Sequence, residues 1–142
     1  QAAQRGVGLG SWWINAGALI GALGDLLRAG RVKFDGIYDQ TQMQDVYRQW
    51  QGVPSNHWKV PAVHELIVRA GLVGKISTPY TPTGRHDFMH NKILVIDDTV
   101  ITGSYNYSRS AQFNAENILF IESAPPRRIS LSVSTSTRSI AM

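Results

Sequence analysis

The sequence predicts an α/β domain, a mixed central sheet flanked by helices, and three observations predict it. Residues 93–96 form a continuously apolar run of strand length, the pattern of a central strand buried on both faces. Residues 99–102 resume the strand pattern after the Asp97-Asp98 turn and hairpin back beside the first run. Upstream, apolar residues recur at helical spacing in three separate segments, and these helices give the sheet its flanking layers.

Taken in order, Ala2-Ala3-Gln4-Arg5-Gly6-Val7 reads as the end of a helix leading into a strand, and Trp12 and Trp13 read as packing residues. Ala16, Leu19, Ile20, Leu23, Leu26 and Leu27 form one apolar stripe opposed by Asp25 and Arg28, a helix that ends at Gly30. Residues 31–38 read as a strand. A second helix over 41–50 carries Met43, Val46, Tyr47 and Trp50 on its stripe, with Asp39 or Thr41 as N-cap. A loop over 52–59 follows, containing Pro54, His57 and Trp58. Pro61 suits the first turn of a third helix, which buries Val63, Leu66, Ile67 and Ala70 and closes at Gly71, leaving His64 on its surface. Ile76 begins a short strand. A long loop over 77–89 then leads directly to His90 and is the segment that shapes access.

His90, Lys92, Leu94 and Ile96 fall at every second position, so alternation puts His90 and Lys92 on one face, about 7 Å apart along a strand. The returning strand brings Ser104 and Asn106 to the same mouth. An imidazole, an ammonium, a hydroxyl and a carboxamide gathered there suit a tetrahedral phosphate: Lys92 supplies charge, Ser104 and Asn106 neutral donors, and His90 a nucleophile or proton carrier. Residues 107–113 read as a short helix capped by Asn106 or Ser108, its N-terminus aimed at the same place. Residues 117–121 read as a buried strand with Glu116 at its entrance.

His90-x-Lys92-x4-Asp97 followed by Gly103-Ser104-x-Asn106 resembles the HKD pattern of the phospholipase D superfamily, and Asn114-Ala-Glu116-Asn117 resembles that family's downstream N-x-E-N segment. Five residues separate Asp97 from Gly103, one fewer than is commonest in the family, so the hairpin is expected to be one residue tighter. The resemblance covers residues 1–123. It implies half of an α/β/α sandwich and a phosphodiesterase acting through a phosphohistidine on phospholipid or nucleic acid. By the same resemblance His90 is nucleophile or general acid. Lys92, Ser104 and Asn106 bind phosphate oxygens, Glu116 orients an imidazole, and Asp97 and Gly103 are structural. No metal or cofactor is implied, and the adjacent Asp97 and Asp98 read as a turn.

Family members join two HKD halves, each contributing one His, one Lys and one Asn. This chain holds one copy, so a homodimer or a second half elsewhere is expected to complete the site. His57-Trp58-Lys59 has the letters H-x-K, but Val60-Pro61 breaks the strand behind it, and His86 has no lysine two residues on. The competing reading is a catalytically incomplete fragment acting as a binding or structural module.

Composition bounds the rest. The 142 residues make one domain, 43% hydrophobic and 17% charged. Of the net charge of +4, three charges belong to Arg127, Arg128 and Arg138, which leaves +1 on residues 1–123. That balance leans away from an obligate nucleic-acid binder. Trp58, Phe88 and Met89 near the access loop suit either lipid contact or a core. Absence of cysteine excludes disulfides and thiolate metal sites and leaves the compartment open. No signal-peptide pattern is present, the most apolar window (12–23) is too short to span a bilayer, and a soluble product is expected. Gln1 in place of an initiating Met reads as a fragment or processed product. Residues 124–142, rich in Ser, Thr and Arg, read as a disordered tail.

Overall fold

A computed structural model describes residues 5–11, 14–79, 81–84, 87–108 and 110–122. The expectations for Ala2 to Gln4, Trp12, Trp13, His86 and the 124–142 tail lie outside the described residues.

The elements follow the order β1 (Gly6–Ser11), α1 (Gly17–Ala29), β2 (Lys33–Asp39), α2 (Gln40–Gln51), α3 (Lys59–Ala70), β3 (Val73–Lys75), β4 (Lys92–Ile96), β5 (Thr99–Gly103) and β6 (Ile118–Glu122). They build a six-stranded mixed sheet of order β3-β2-β1-β4-β5-β6. β1, β2 and β3 run parallel, and β4, β5 and β6 join antiparallel to their neighbours. Both parallel crossovers step the same way across the sheet, and their right-handedness puts α1, α2 and α3 on one face. The core agrees. Val7, Leu9, Tyr38 and Leu94, with Phe34, Ile96 and Ile101 beside them, share that face by alternation and register. They meet Ile20 and Leu23 of α1, Met43, Val46 and Trp50 of α2, and Val63, Leu66 and Ala70 of α3.

The helices form and stop for local reasons. α1 ends where Gly30 takes a left-handed φ of 64°, and α3 ends the same way at Gly71. Asp39 caps α2 by accepting the Gln42 N–H at 3.0 Å, the first of the two caps expected. Thr41 turns its hydroxyl elsewhere, to the Ser77 backbone.

Four expectations need correction. Ile76 begins no strand: β3 ends at Lys75 and Ile76 is exposed, because the chain has already left the sheet. Among the described residues of 107–113 there is no α-helix. A four-residue 3-10 turn forms instead, Ser110–Phe113, and Ser108 Oγ accepts the Ala111 N–H at 3.3 Å. β6 is not a buried strand. Its run reads as interior, yet it lies at the sheet edge, and Ile118, Leu119, Phe120 and Ile121 are 43–67% exposed. His90 falls two residues before β4, so the ladder's alternation does not set its direction.

Candidate active site

Strand direction decides what meets at one end of the sheet. β1, β2, β3 and β5 end there, and β4 and β6 begin there. Ser11, Asp39, Lys75, Gly103, Lys92 and Ile118 therefore share one rim, flanked by His90 and by residues 104–117.

Lys92 pairs with Ser11 across β1 and β4 and lies on the helix-covered face with Leu94. It is only 7% exposed. Its Nζ donates to the His90 carbonyl at 3.0 Å, so the lysine grips the backbone of the histidine it accompanies. Burial pushes the Lys92 ammonium below its ordinary pKa, and attraction to Glu116 opposes this. The His90 ring is exposed and stands edge-on to Phe88, with centroids 5.5 Å apart at 84°. Its pKa is also lowered, first by desolvation and then by repulsion from Lys92, which favours the neutral imidazole. Lys92 is thus within electrostatic range of both His90 and Glu116.

The other side of the rim is a closed hydrogen-bond cycle. Ser104 Oγ donates to Glu116 Oε2 at 2.5 Å and accepts the Asn117 N–H at 3.0 Å. The Ser104 N–H in turn points between the Asn117 carbonyl and its side-chain Oδ1, both at 3.1 Å. Asn114 Nδ2 reaches Glu116 Oε1 at 3.4 Å. Gly103 makes this cycle possible. At φ 146° it lies where a Cβ would stand 2.3 Å from the Asn117 carbonyl oxygen. Asn106 follows between two anchors, Ser104 on Asn117 and the Tyr107 carbonyl, which accepts the Ala16 N–H at 2.6 Å. Burial of the Tyr107 ring pushes its hydroxyl up to about 12.

Asp97 stands at the opposite end of the sheet. At φ 53° it forms the tight two-residue turn from β4 to β5, and its Oδ1 accepts the N–H groups of Arg5 (2.7 Å) and Gly6 (3.0 Å) at the start of β1. His57 lies in the turn between α2 and α3 and donates Nε2 to the Gln51 carbonyl at 3.0 Å, and His64 is on the outer surface of α3. Of the three residues expected near the access loop, Met89 is buried, Phe88 is half-buried and Trp58, in the 52–59 loop, is 49% exposed. Among the described residues no cluster of three or more His, Cys, Asp or Glu side chains is placed to hold a metal, and no helix is long and apolar enough to cross a membrane.

Residues 3–134 match the family described as the phospholipase D-like domain of cardiolipin synthase. The chain belongs to this phospholipase D-like family. Among solved structures the domain resembles Nuc, a phospholipase D family member from Salmonella typhimurium, with a TM-score of 0.57 and 21% identity over 87% of this chain and 70% of that one. It also resembles NucT from Helicobacter pylori, with a TM-score of 0.55 and 19% identity over 83% and 68%. At these identities the likeness is one of fold, and it bears out the mixed sheet flanked by helices. Comparison with curated proteins gives no match.

Sequence reasoning missed two features of the phospholipase D-like rim. Ser11, 2% exposed, sits opposite Lys92, and nothing local in its sequence announces this. Asp39 is legible as a helix cap, but its second set of bonds is not. Its Oδ2 accepts from Ser77 Oγ at 2.5 Å and from the Met89 N–H at 2.9 Å, 38 and 50 residues away.

Proposed function

We propose that the chain is a phosphodiesterase of phospholipase D type that works through a phosphohistidine, its site completed by a second HKD half. The observation that carries this reading is the buried Lys92 ammonium bonded to the His90 carbonyl, which ties the positive charge and the imidazole to one short segment. Family membership supports phosphodiesterase-type chemistry, and the names of the two structural relatives lean the same way.

His90 serves as the nucleophile. Its lowered pKa keeps the lone pair available near neutrality. The ring nitrogen attacks phosphorus and forms an N–P bond as the P–O bond to the leaving group breaks. The leaving oxygen takes a proton from the imidazolium of the second half. Water then attacks the phosphohistidine, that second imidazole removes its proton, and His90 leaves as the free base. Lys92 and Asn106 hold the non-bridging oxygens, with the ammonium offsetting charge that builds in the transition state. Ser104 spends its proton on Glu116, so its part is to hold that carboxylate in range of Lys92 while Glu116 orients an imidazole. Phospholipid and nucleic acid share the phosphodiester, and the description of the family as that of cardiolipin synthase favours the lipid. An alcohol in place of water at the second step gives transfer instead of hydrolysis.

The test is hydrolysis of bis(p-nitrophenyl) phosphate in EDTA by wild type and His90→Asn, with size-exclusion chromatography of both. A dimer with turnover that falls by ~10³-fold or more in the variant is expected, as when a nucleophile is removed and only binding remains. Equal rates for the two proteins defeat the assignment of His90. An inactive monomer assigns the chain to the alternative, a binding or structural module.

A further inference from the structure

We propose that Asp39 is a positioning residue for His90: its buried carboxylate fixes the backbone immediately before the imidazole and so sets where the ring stands. The inference rests on the reading of His90 given above. Asp39 is 0% exposed, and its two oxygens do different work. Oδ1 accepts the Gln42 N–H and caps α2, a task that asparagine or serine performs equally well. Oδ2 accepts two further donors, the Ser77 hydroxyl and the Met89 N–H. Only a carboxylate can accept at both oxygens, and burying one fully is expensive, so a cap alone does not account for the acid.

The loop between these two donors is gathered onto the same point. Thr41 Oγ1 accepts the Ser77 N–H at 3.0 Å and donates to the Ser77 carbonyl at 2.9 Å. Lys75 Nζ donates to Ser77 Oγ at 2.8 Å and also to the Asp87 carbonyl. The Thr78 N–H meets the Asp87 carboxylate at 2.6 Å. Both ends of the 77–89 segment therefore close on one carboxylate at the end of β2. Met89, itself buried, is the last residue before His90. The segment's outgoing backbone is pinned from one side by Asp39 and from the other by Lys92 on the His90 carbonyl. His90 has a defined place because both of its flanking backbone groups are held.

The test compares wild type with Asp39→Asn and Ser77→Ala. Readouts are kcat and KM on bis(p-nitrophenyl) phosphate, hydrogen exchange at the Met89 amide, and NMR titration of the His90 imidazole assigned through His90→Asn. Asp39→Asn keeps one oxygen for the cap and gives up the second acceptor. Its kcat should fall about 10²-fold with KM within about twofold, the pattern of a nucleophile displaced by ~1 Å. Met89 exchange should quicken, and the His90 titration should move toward that of a free imidazole as the ring leaves Phe88 and Lys92. If Asp39→Asn does not fold, Ser77→Ala decides, with an expected kcat loss of roughly tenfold and faster Met89 exchange. A folded Asp39→Asn with wild-type kcat and an unmoved titration overturns the inference, as does a loss that merely tracks the unfolded fraction. If wild type has no turnover, the functional reading fails, and Met89 exchange with the His90 titration decides this one alone. Unchanged values there overturn it.

Discussion

Replacing Lys92 by methionine should make the protein inactive and more stable at once. The side chain is 7% exposed on the face that also carries Leu94, so its stem already packs as an apolar residue would. What the core tolerates poorly is the ammonium. Its pKa lies below the ordinary 10.5 because burial disfavours the charge more than Glu116 favours it. Exchange of a whole buried charge pair for apolar side chains of similar volume commonly yields about 1–4 kcal/mol. Lys92→Met removes one partner only, and loss of the Glu116 attraction and of the bond to the His90 carbonyl places the expected gain at the low end, about 1–2 kcal/mol. For a chain of this length that is a rise in melting temperature of about 3–8 °C. The pH dependence fixes the sign independently. A base with a lowered folded pKa binds its proton more tightly in the unfolded chain, so wild-type stability rises with pH between the folded value and 10.5. The advantage of Lys92→Met should therefore be full at neutral pH and shrink through that window. Loss of a preorganised charge at the phosphate should lower turnover by about 10²–10³-fold. Circular dichroism melts at neutral and alkaline pH, with bis(p-nitrophenyl) phosphate assays, check both halves. A variant that melts several degrees below wild type at pH 7 refutes the claim that this ammonium is held against the preference of the fold.

Three further outcomes follow from the same rim and its far end. His90 titrates below the ordinary 6.5, so the acid limb of kcat should lie below that value and vanish in His90→Asn; the unfolded chain takes this proton first, so stability should also fall as pH drops through the same window. Gly103→Ala forces a Cβ onto the Asn117 carbonyl at 2.3 Å and should lower the urea unfolding free energy by about 2–4 kcal/mol. Asp97→Ala strips the acceptor from the Arg5 and Gly6 amides and should destabilise by about 2–3 kcal/mol, whereas Asp97→Asn tolerates the left-handed turn and should keep turnover per folded molecule within about twofold.

The parts of the fold that were legible are those decided within a few residues. The α1 stripe with its Gly30 stop, the α3 stripe with Gly71, and the apolar run that became β4 depend on periodicity and on one backbone angle, both written locally. The parts that were not legible depend on partners far along the chain. The β6 run has the composition of an interior strand, and only the sheet order makes it an edge. Asp39 announces its cap through the helix that follows it, but the bond to the Met89 N–H spans 50 residues and leaves no local trace. His90 illustrates an intermediate case. Its spacing to Lys92 matched a strand, yet pairing begins only at Lys92, and the histidine is held by contacts that alternation does not encode.

The spacing of His90, Lys92 and Asp97 follows from the length of a single strand. β4 extends from Lys92 to Ile96, so a residue just before it and one just after it lie at opposite ends of the sheet. Asp97 occupies the far end, where its carboxylate binds the first amides of β1 and its left-handed backbone turns the chain into β5. That clamp sets the register of three neighbouring strands together, because β4 is paired with β1 on one side and β5 on the other. A slip of one residue there would carry Lys92 to the opposite face, away from Ser11, and turn Leu94 out of the core. Asp97, expected to be structural, is thus remote from His90 and Lys92, and it acts on the rim only through the register. Its cost when lost should appear in stability, and the cost of losing His90 in rate. Measuring both quantities on both variants tells a register clamp from a reacting group.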